Sequence, residues 1–376
     1  MEVLSQDNQM LHDSARRYLA DHQPVAAFRK LQAETTDLAY DLSAFEQMSE
    51  LGWMGLILPE KYGGSAFGYR AAGLIAQQLG RNLTALPFTS TAIMAATIMA
   101  AAGDAMLAQW GEQIATGKCV MALAHDETTK HQLNPLDASV LAATAIATEQ
   151  GYRLSGKKQF IIDGYKADRL IITATLDGEL ALFCVATATD NLQIDKQILM
   201  DNRNCATAKF NNLILPKTDL IVQGEMAQNI LSKALSAGRA IVAAEQVGIA
   251  KEVAARTLDY LNTRKQFGVV IGSFQALQHR AADLYCQIEL TASLVATALN
   301  ALDNEADEAE KLSRAAKAKA DRLGKYATEE SVQMHGGIGM TNELDLGLFM
   351  KRNRVLSEFL GDYACHANWL LADRNI

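Results

Sequence analysis

The sequence predicts an α+β protein in three parts: an N-terminal helical domain (1–118), a middle antiparallel β domain of barrel or sandwich type (119–220), and a C-terminal four-helix bundle (221–376). Three observations carry this reading. Apolar residues recur at helical spacing in NQMLHDSARRYLA and LSAFEQMSELGWMGLIL. The chain then changes to short runs rich in Val, Ile, Thr and Phe. Finally, no proline follows Pro216, as a bundle of long helices requires.

In the N-terminal part, breakers fall between the helical segments at Pro24, in the LPEKYGG turn (58–64) and at Pro87. The most apolar run, TSTAIMAATIMAAAG (89–103), is too short to span a bilayer. In the middle part, VLAATAIATEQGYRLSG, KQFIIDG, ADRLIITATLDGELALFCVATA and AKFNNLILP read as strands, with Asp177-Gly178 as a hairpin turn. In the last part, helices fit near 226–261, 273–302, 306–334 and 342–370, the second with Ser273 as its N-cap. The run NEADEAEK (304–311) suits a helix start or a solvated surface.

Composition narrows the function. The 376 residues are 49% hydrophobic, enough for a sizeable core, and no segment has a disordered composition. A net charge of −8 argues against a nucleic-acid partner. Five scattered cysteines form no CxxC pair, which removes a zinc site and a redox dithiol, and an odd count of thiols suits a reducing compartment. The first residues are acidic and amphipathic, unlike a signal peptide. The expectation is a cytoplasmic protein with no membrane partner. His279 and His335 have no second ligand at metal spacing, so no metal is expected.

Two motifs carry chemistry. In YLNTRKQFGVVIGSFQALQHRAADL (260–284), a helix ends near Arg264, a glycine-containing turn follows and a second helix begins. An arginine at such a corner can hold a phosphate by charge-assisted bonds, although most such corners are ordinary loops with a surface arginine. In VQMHGGIGMTNE (332–343), three glycines interrupt the bundle and permit close backbone approach to a ligand. The bland alternative is a helix C-cap.

Taken together and in this order, RKQFG, IGSFQALQH and QMHGGIG, with LPEKYGG as a fourth match, resemble the signatures of the acyl-CoA dehydrogenase family over essentially the whole chain. The resemblance implies an FAD enzyme whose flavin is shared across a subunit interface. Arg264 would hold the pyrophosphate of the neighbouring subunit's FAD, lined by Gln266 and Phe267. Gln275 and Gln333 would contact the adenosine half, and Gly336 and Gly337 would let the backbone approach it. The reaction implied is α,β-desaturation of an acyl-CoA thioester, with electrons leaving to an electron-transfer flavoprotein. A carboxylate removes the α-proton while the β-hydride passes to the flavin.

That carboxylate is absent from both places where the family keeps it. Counting from Gln333 along the family pattern brings the commonest base position to Leu360, in SEFLGD (357–362). Asp362 falls where members have a hydroxyl near the flavin's nucleotide end. Glu358 reads as a solvated helix position. The second base position, counted back from Arg264, is Gly238. One candidate remains on that helix: Glu245, in the apolar stretch GRAIVAAEQVGIA, seven residues after Gly238 and so on nearly the same face about 10 Å further along. Glu245 is the expected catalytic residue; the alternative is a buried structural carboxylate bonded to Arg239 or to another chain.

The middle domain departs from the family too. The Thr-Glu-Pro-Gly-x-Gly-Ser-Asp loop becomes ALAHDETTKHQLNP, and the aromatic-x-Thr flavin contact becomes Phe160-Ile161-Ile162. The segment AAEQVG resembles a subset of bacterial members that form two-gene heteromers, including steroid-side-chain and dicarboxylate enzymes. The expectation is a homo- or heterotetramer, α2β2 favoured, acting on a bulky or unusual acyl-CoA. The alternatives are a non-catalytic subunit that completes a partner's FAD site and an unrelated helical binding protein.

Overall fold

The computed structural model describes residues 4–33, 39–128 and 134–373. Backbone contacts divide the chain into two compact units. One comprises Met1–Lys30, Gly73–Thr84 and Arg239–Ile376; the other comprises Leu31–Ala72 and Ala85–Gly238.

The chain begins with α1 (Gln6–His22), α2 (Val25–Ala33), α3 (Leu42–Glu50), α4 (Gly68–Asn82), α5 (Ala96–Ala102) and α6 (Asp104–Ala115). Ser5 caps α1 by accepting from Asn8 N–H, and Asp41 caps α3 by accepting from Ala44 N–H. The apolar run after Pro87 starts as a π-helix over Phe88–Ala95, in which Thr91 both accepts from Met121 N–H and donates to Met121 C=O.

The sheet follows: β1 (Met121–Ala124), β2 (Thr144–Thr148), β3 (Gly151–Ile162), β4 (Arg169–Leu176), β5 (Glu179–Ala186), β6 (Leu192–Lys196), β7 (Cys205–Pro216) and β8 (Leu220–Gln223). The strand order is β6-β7-β3-β2-β4-β5-β8, with β1 paired to β4. Asp177 (φ 51°) and Gly178 (φ 82°) form the expected hairpin turn between β4 and β5. The sheet is mixed, not purely antiparallel. Both β1 and β2 run parallel to β4, because the long connection between β1 and β2 lets the chain return in the same direction.

The helical region that follows holds α7 (Glu225–Thr263), the short hairpin β9 (Lys265–Gln266) and β10 (Val269–Val270), α8 (Gln275–Asp303), α9 (Ala309–His335), α10 (Leu346–Glu358) and α11 (Tyr363–Asp373). Two expectations need correction. Ser273 does not cap α8: its hydroxyl donates to Val270 C=O, and Phe274 takes the N-cap position without a side-chain bond. The helix expected over 342–370 is two helices. Leu360 (φ 64°) and Gly361 (φ 100°) are both left-handed, which no right-handed helix can continue through. Lys317 of α9 steadies this break by donating to Ser357 C=O at 3.2 Å and Gly361 C=O at 2.9 Å.

Glycines permit the close approach of α4 and α7. A Cβ added at Gly80 of α4 would lie 2.2 Å from Glu245 C=O of α7, and one at Gly248 would lie 2.0 Å from Gln77 C=O. Among the described residues, no helix is long and apolar enough to cross a membrane.

Candidate functional site

α7 runs to the corner that carries Arg264, whose N–H still bonds Tyr260 C=O in helical fashion. The chain then reverses through Phe267 (φ 54°) and Gly268 (φ 83°), and Ile271 N–H closes the hairpin on Arg264 C=O at 2.9 Å. Phe267 is 91% exposed, touching Phe274 edge-on at 6.2 Å. Arg264, Gln266 and Gln275 are exposed as well.

The second motif lies at the same end of the bundle. Tyr260 stacks on His335 with ring centroids 4.4 Å apart, and Arg280 near the start of α8 pairs with Glu330 near the end of α9. His335 Nδ1 lies 2.7 Å from Ser331 C=O, which holds the buried ring in place. Gln333 is exposed, and a Cβ built on Gly336 or Gly337 would meet nothing within 4 Å. The structure therefore leaves Arg264, Gln266, Phe267, Gln275, Gln333, Gly336 and Gly337 exposed at the same end of the helical region.

It does not bring Asp362 there. Asp362 Oδ1 accepts from Cys365 N–H at 2.8 Å, capping α11. Its neighbour Gly361 is held by Lys317, which lies roughly 24 Å along α9 from Gln333 at 1.5 Å per residue.

Glu245 lies in the bundle interior. Arg352 of α10 binds it bidentately, Nε donating to Oε1 at 2.7 Å and Nη2 to Oε2 at 3.0 Å. Both residues are buried. The next residues pair likewise: Gln246 Nε2 donates to Asn353 Oδ1 (3.1 Å) and Asp321 Oδ1 (2.9 Å), and Lys317 donates to Asp321 at 2.6 Å. Burial pushes the Asp321 carboxyl up to about 6 against the pull of Lys317, and burial lowers Lys317. Arg239, the partner weighed for Glu245, reaches Leu360 C=O at 3.5 Å and Glu310 at 3.9 Å. His366 packs against Gly361; burial and then the nearby Arg239, Lys317 and Arg314 push it down to about 2, so it is neutral. Sequence reasoning missed Arg352, Asn353, Asp321 and Lys317. Apart from the i,i+4 spacing of Lys317 and Asp321, the sequence carries no signal for them, because their partners lie on other helices.

In the sheet unit, residues 129–133 of the altered loop lie outside the described residues. The described part is tied down. Glu127 accepts from Lys158 Nζ at 2.6 Å and from the N–H groups of Ala142 and Ala143. Lys158 is fully buried, also donates to Thr173 Oγ1 and His125 C=O, and is pushed down to about 8 by burial, opposed by Glu127. Beside it, β3 bulges at Gln159 and Phe160 (φ 52°), with Gln159 N–H on Asp126 C=O and Phe160 N–H on Gln197 Oε1.

The chain is thus a helix–sheet–helix protein with guanidinium, amide and glycine backbone groups exposed at one end of its helical region. Two family models match it: the acyl-CoA dehydrogenase N-terminal domain over residues 5–118 and the acyl-CoA dehydrogenase C-terminal domain over residues 228–372. The chain belongs to the acyl-CoA dehydrogenase family, FAD-dependent oxidoreductases acting on the CH–CH bond of acyl-CoA thioesters. It is 28% identical over 356 residues to acyl-CoA dehydrogenase IpdE2 of Mycobacterium tuberculosis (strain ATCC 25618 / H37Rv), covering 94% of this chain and 93% of that one. It is 25% identical over 373 residues to the caffeyl-CoA reductase-Etf complex subunit CarC of Acetobacterium woodii, covering 95% of each. Its fold matches that of a variant of the Tcur3481-Tcur3483 steroid ACAD with a TM-score of 0.87 at 24% identity, over 98% of this chain and 99% of that one.

The residues present fit the nucleotide half of FAD. The open space over Gly336 and Gly337 leaves backbone accessible, Arg264 matches a diphosphate, and the exposed amides of Gln275 and Gln333 offer adenosine contacts.

Proposed function

We propose that this chain is one subunit of a two-gene α2β2 acyl-CoA dehydrogenase of the cytoplasm, acting on a bulky acyl-CoA such as a steroid side chain, with an electron-transfer flavoprotein as acceptor. Bound FAD supplies the hydride acceptor. Arg264, Gln266 and Phe267 hold the pyrophosphate end, while Gln275, Gln333, Gly336 and Gly337 hold the adenosine end, offered outward to a neighbouring subunit. Asp362 acts through its cap on α11. The steroid ACAD neighbour supports the bulky substrate, the Etf-complex subunit CarC supports the acceptor, and acyl-CoA dehydrogenase IpdE2 supports an acyl-CoA substrate.

One observation carries the reading. The residues assigned to the nucleotide, Asp362 apart, are all exposed, whereas the carboxylate a proton transfer needs is missing from both family positions. Leu360 and Gly238 carry none, and both oxygens of Glu245 accept from Arg352. Taking a proton there would break a charge-assisted bond in the bundle interior. Glu245 therefore serves as Arg352's structural partner, and the α-proton goes to a carboxylate of the second chain.

Two measurements test this. About half an FAD per chain in the co-purified assembly supports the shared site; near one FAD per chain supports a self-sufficient enzyme. Single-turnover flavin reduction in Glu245→Gln combined with Arg352→Met, which leaves no lone buried charge, tests the base. A rate within tenfold of the parent keeps Glu245 structural, while a loss of 10²–10⁴-fold would make it the base.

A further inference from the structure

The glycine turn Gly336–Met340 has no packing over Gly336 and Gly337 to fix its shape. Gly339 in its middle packs on Val332 and His335, and two further holds act at its ends. At the first end, His335 is buried and stacked on Tyr260. At the second end, Arg29 of α2 donates Nη2 to the carbonyls of Asn342 and Leu344, both at 3.0 Å, and Nε to Asp345 Oδ1. Arg256 of α7 takes the other oxygen, Nη1 to Oδ2 at 2.7 Å. Asp345 stands at the N-cap of α10 yet makes no side-chain cap bond, because its carboxylate is given to the two arginines. The network continues outward through Arg256 to Glu252 (2.9 Å) and from Glu252 to Arg81 (3.0 Å).

These grips share one helix face. Glu252, Arg256, Tyr260 and Arg264 recur every fourth residue, so one stripe of α7 and its end carries both grips on the turn and the corner arginine.

We propose that Arg29 and Asp345 are positioning residues for the flavin nucleotide: they lock segment 341–345, and thereby hold Gly336 and Gly337 in register with Arg264. The proposal rests on the reading of this face as the FAD site. Arg29 is irreplaceable by lysine here, because three acceptors on one segment need the forked guanidinium.

The test uses the co-purified full-length assembly stripped of flavin. FAD affinity is titrated by fluorescence quenching, and hydrogen exchange of 336–345 is followed in the flavin-free protein. Arg29→Lys and Asp345→Asn are each expected to weaken FAD binding tenfold or more and to speed exchange in 336–345. Arg81→Met, at the outer end of the network and touching nothing in the turn, is expected to leave affinity within twofold. The proposal is overturned if Arg29→Lys and Asp345→Asn also stay within twofold, or if Arg81→Met weakens binding as much as they do. Arg264→Ala separates the two layers. If it weakens FAD binding while Arg29→Lys and Asp345→Asn do not, the clamp alone is wrong. If it too has no effect, the site assignment falls and takes the clamp with it.

Discussion

Two polar regions of the same bundle have opposite designs. At the corner end, Arg264, Gln266, Gln275 and Gln333, the proposed nucleotide contacts, are exposed. In the interior, Glu245, Gln246, Asp321, Lys317, Arg352 and Asn353 are buried and bonded to one another. An exposed polar group loses little when its partner is absent, so it can wait for one. A buried charge without a partner is costly, so its bonds are part of the fold. Substitutions at the corner should therefore change binding and spare stability, and interior ones the reverse.

The largest effect is expected at Arg352→Met, which leaves Glu245 buried without its clamp. Loss of one partner of a buried pair costs ~3–5 kcal/mol, read as a lower urea midpoint at unchanged slope. Adding Glu245→Met should recover most of that loss. A loss under ~1 kcal/mol for Arg352→Met would mean that Glu245 finds water or another partner, and the contrast between the regions would weaken. At the corner, Arg264→Ala should cost ~1.5–3 kcal/mol of FAD affinity, roughly ten- to a hundredfold in Kd, while the flavin-free protein unfolds within ~0.5 kcal/mol of the parent.

Much of this contrast was legible in the sequence, and the reasons for the gaps are physical. The corner motifs are local: within each, every proposed binding residue lies at most eight positions from the next, so their spacing survives in the text of the chain. The hairpin at Asp177-Gly178 was legible for the same reason. The interior network is non-local. Glu245 stands out as a lone charge in an apolar helix, but its partner is on a different helix more than a hundred residues on. Nothing in MKRNRV distinguishes Arg352 from its neighbours. The break between α10 and α11 was hidden because a leucine at φ 64° has no sequence signature; the buried Lys317 and Arg239 that bond its carbonyls are distant. The parallel placement of β1 and β2 likewise depends on a crossover that strand patterns do not encode.

His366 tests the interior through pH. It is neutral when folded, pushed down to about 2, whereas an unfolded histidine titrates near 6.5. Below 6.5 the unfolded state binds more protons, so this residue makes stability fall as pH falls from 6.5 towards 2. The slope reaches at most ~1.4 kcal/mol per pH unit. His366→Leu should flatten the acid side of the stability curve between pH 6.5 and 4 and leave its neutral side unchanged in shape. An unchanged acid slope would mean that His366 becomes charged within the fold.

The smallest effect decides the role of Asp362, which lies between the two regions in character, half-buried and joined to both a cap and a buried lysine's neighbourhood. As the cap of α11 it contributes ~1 kcal/mol, since its Oδ1 satisfies the otherwise orphaned Cys365 N–H. Asp362→Ala should lose that amount. Asp362→Ser keeps a capping oxygen and removes the charge, so it should recover most of it. FAD affinity should stay within twofold in both variants. If Asp362→Ser instead behaves like Asp362→Ala in stability, the charge beside Lys317 matters more than the cap. If either variant weakens FAD binding tenfold, Asp362 joins the nucleotide set despite its distance from Gln333, and the division between a binding end and a structural interior no longer holds.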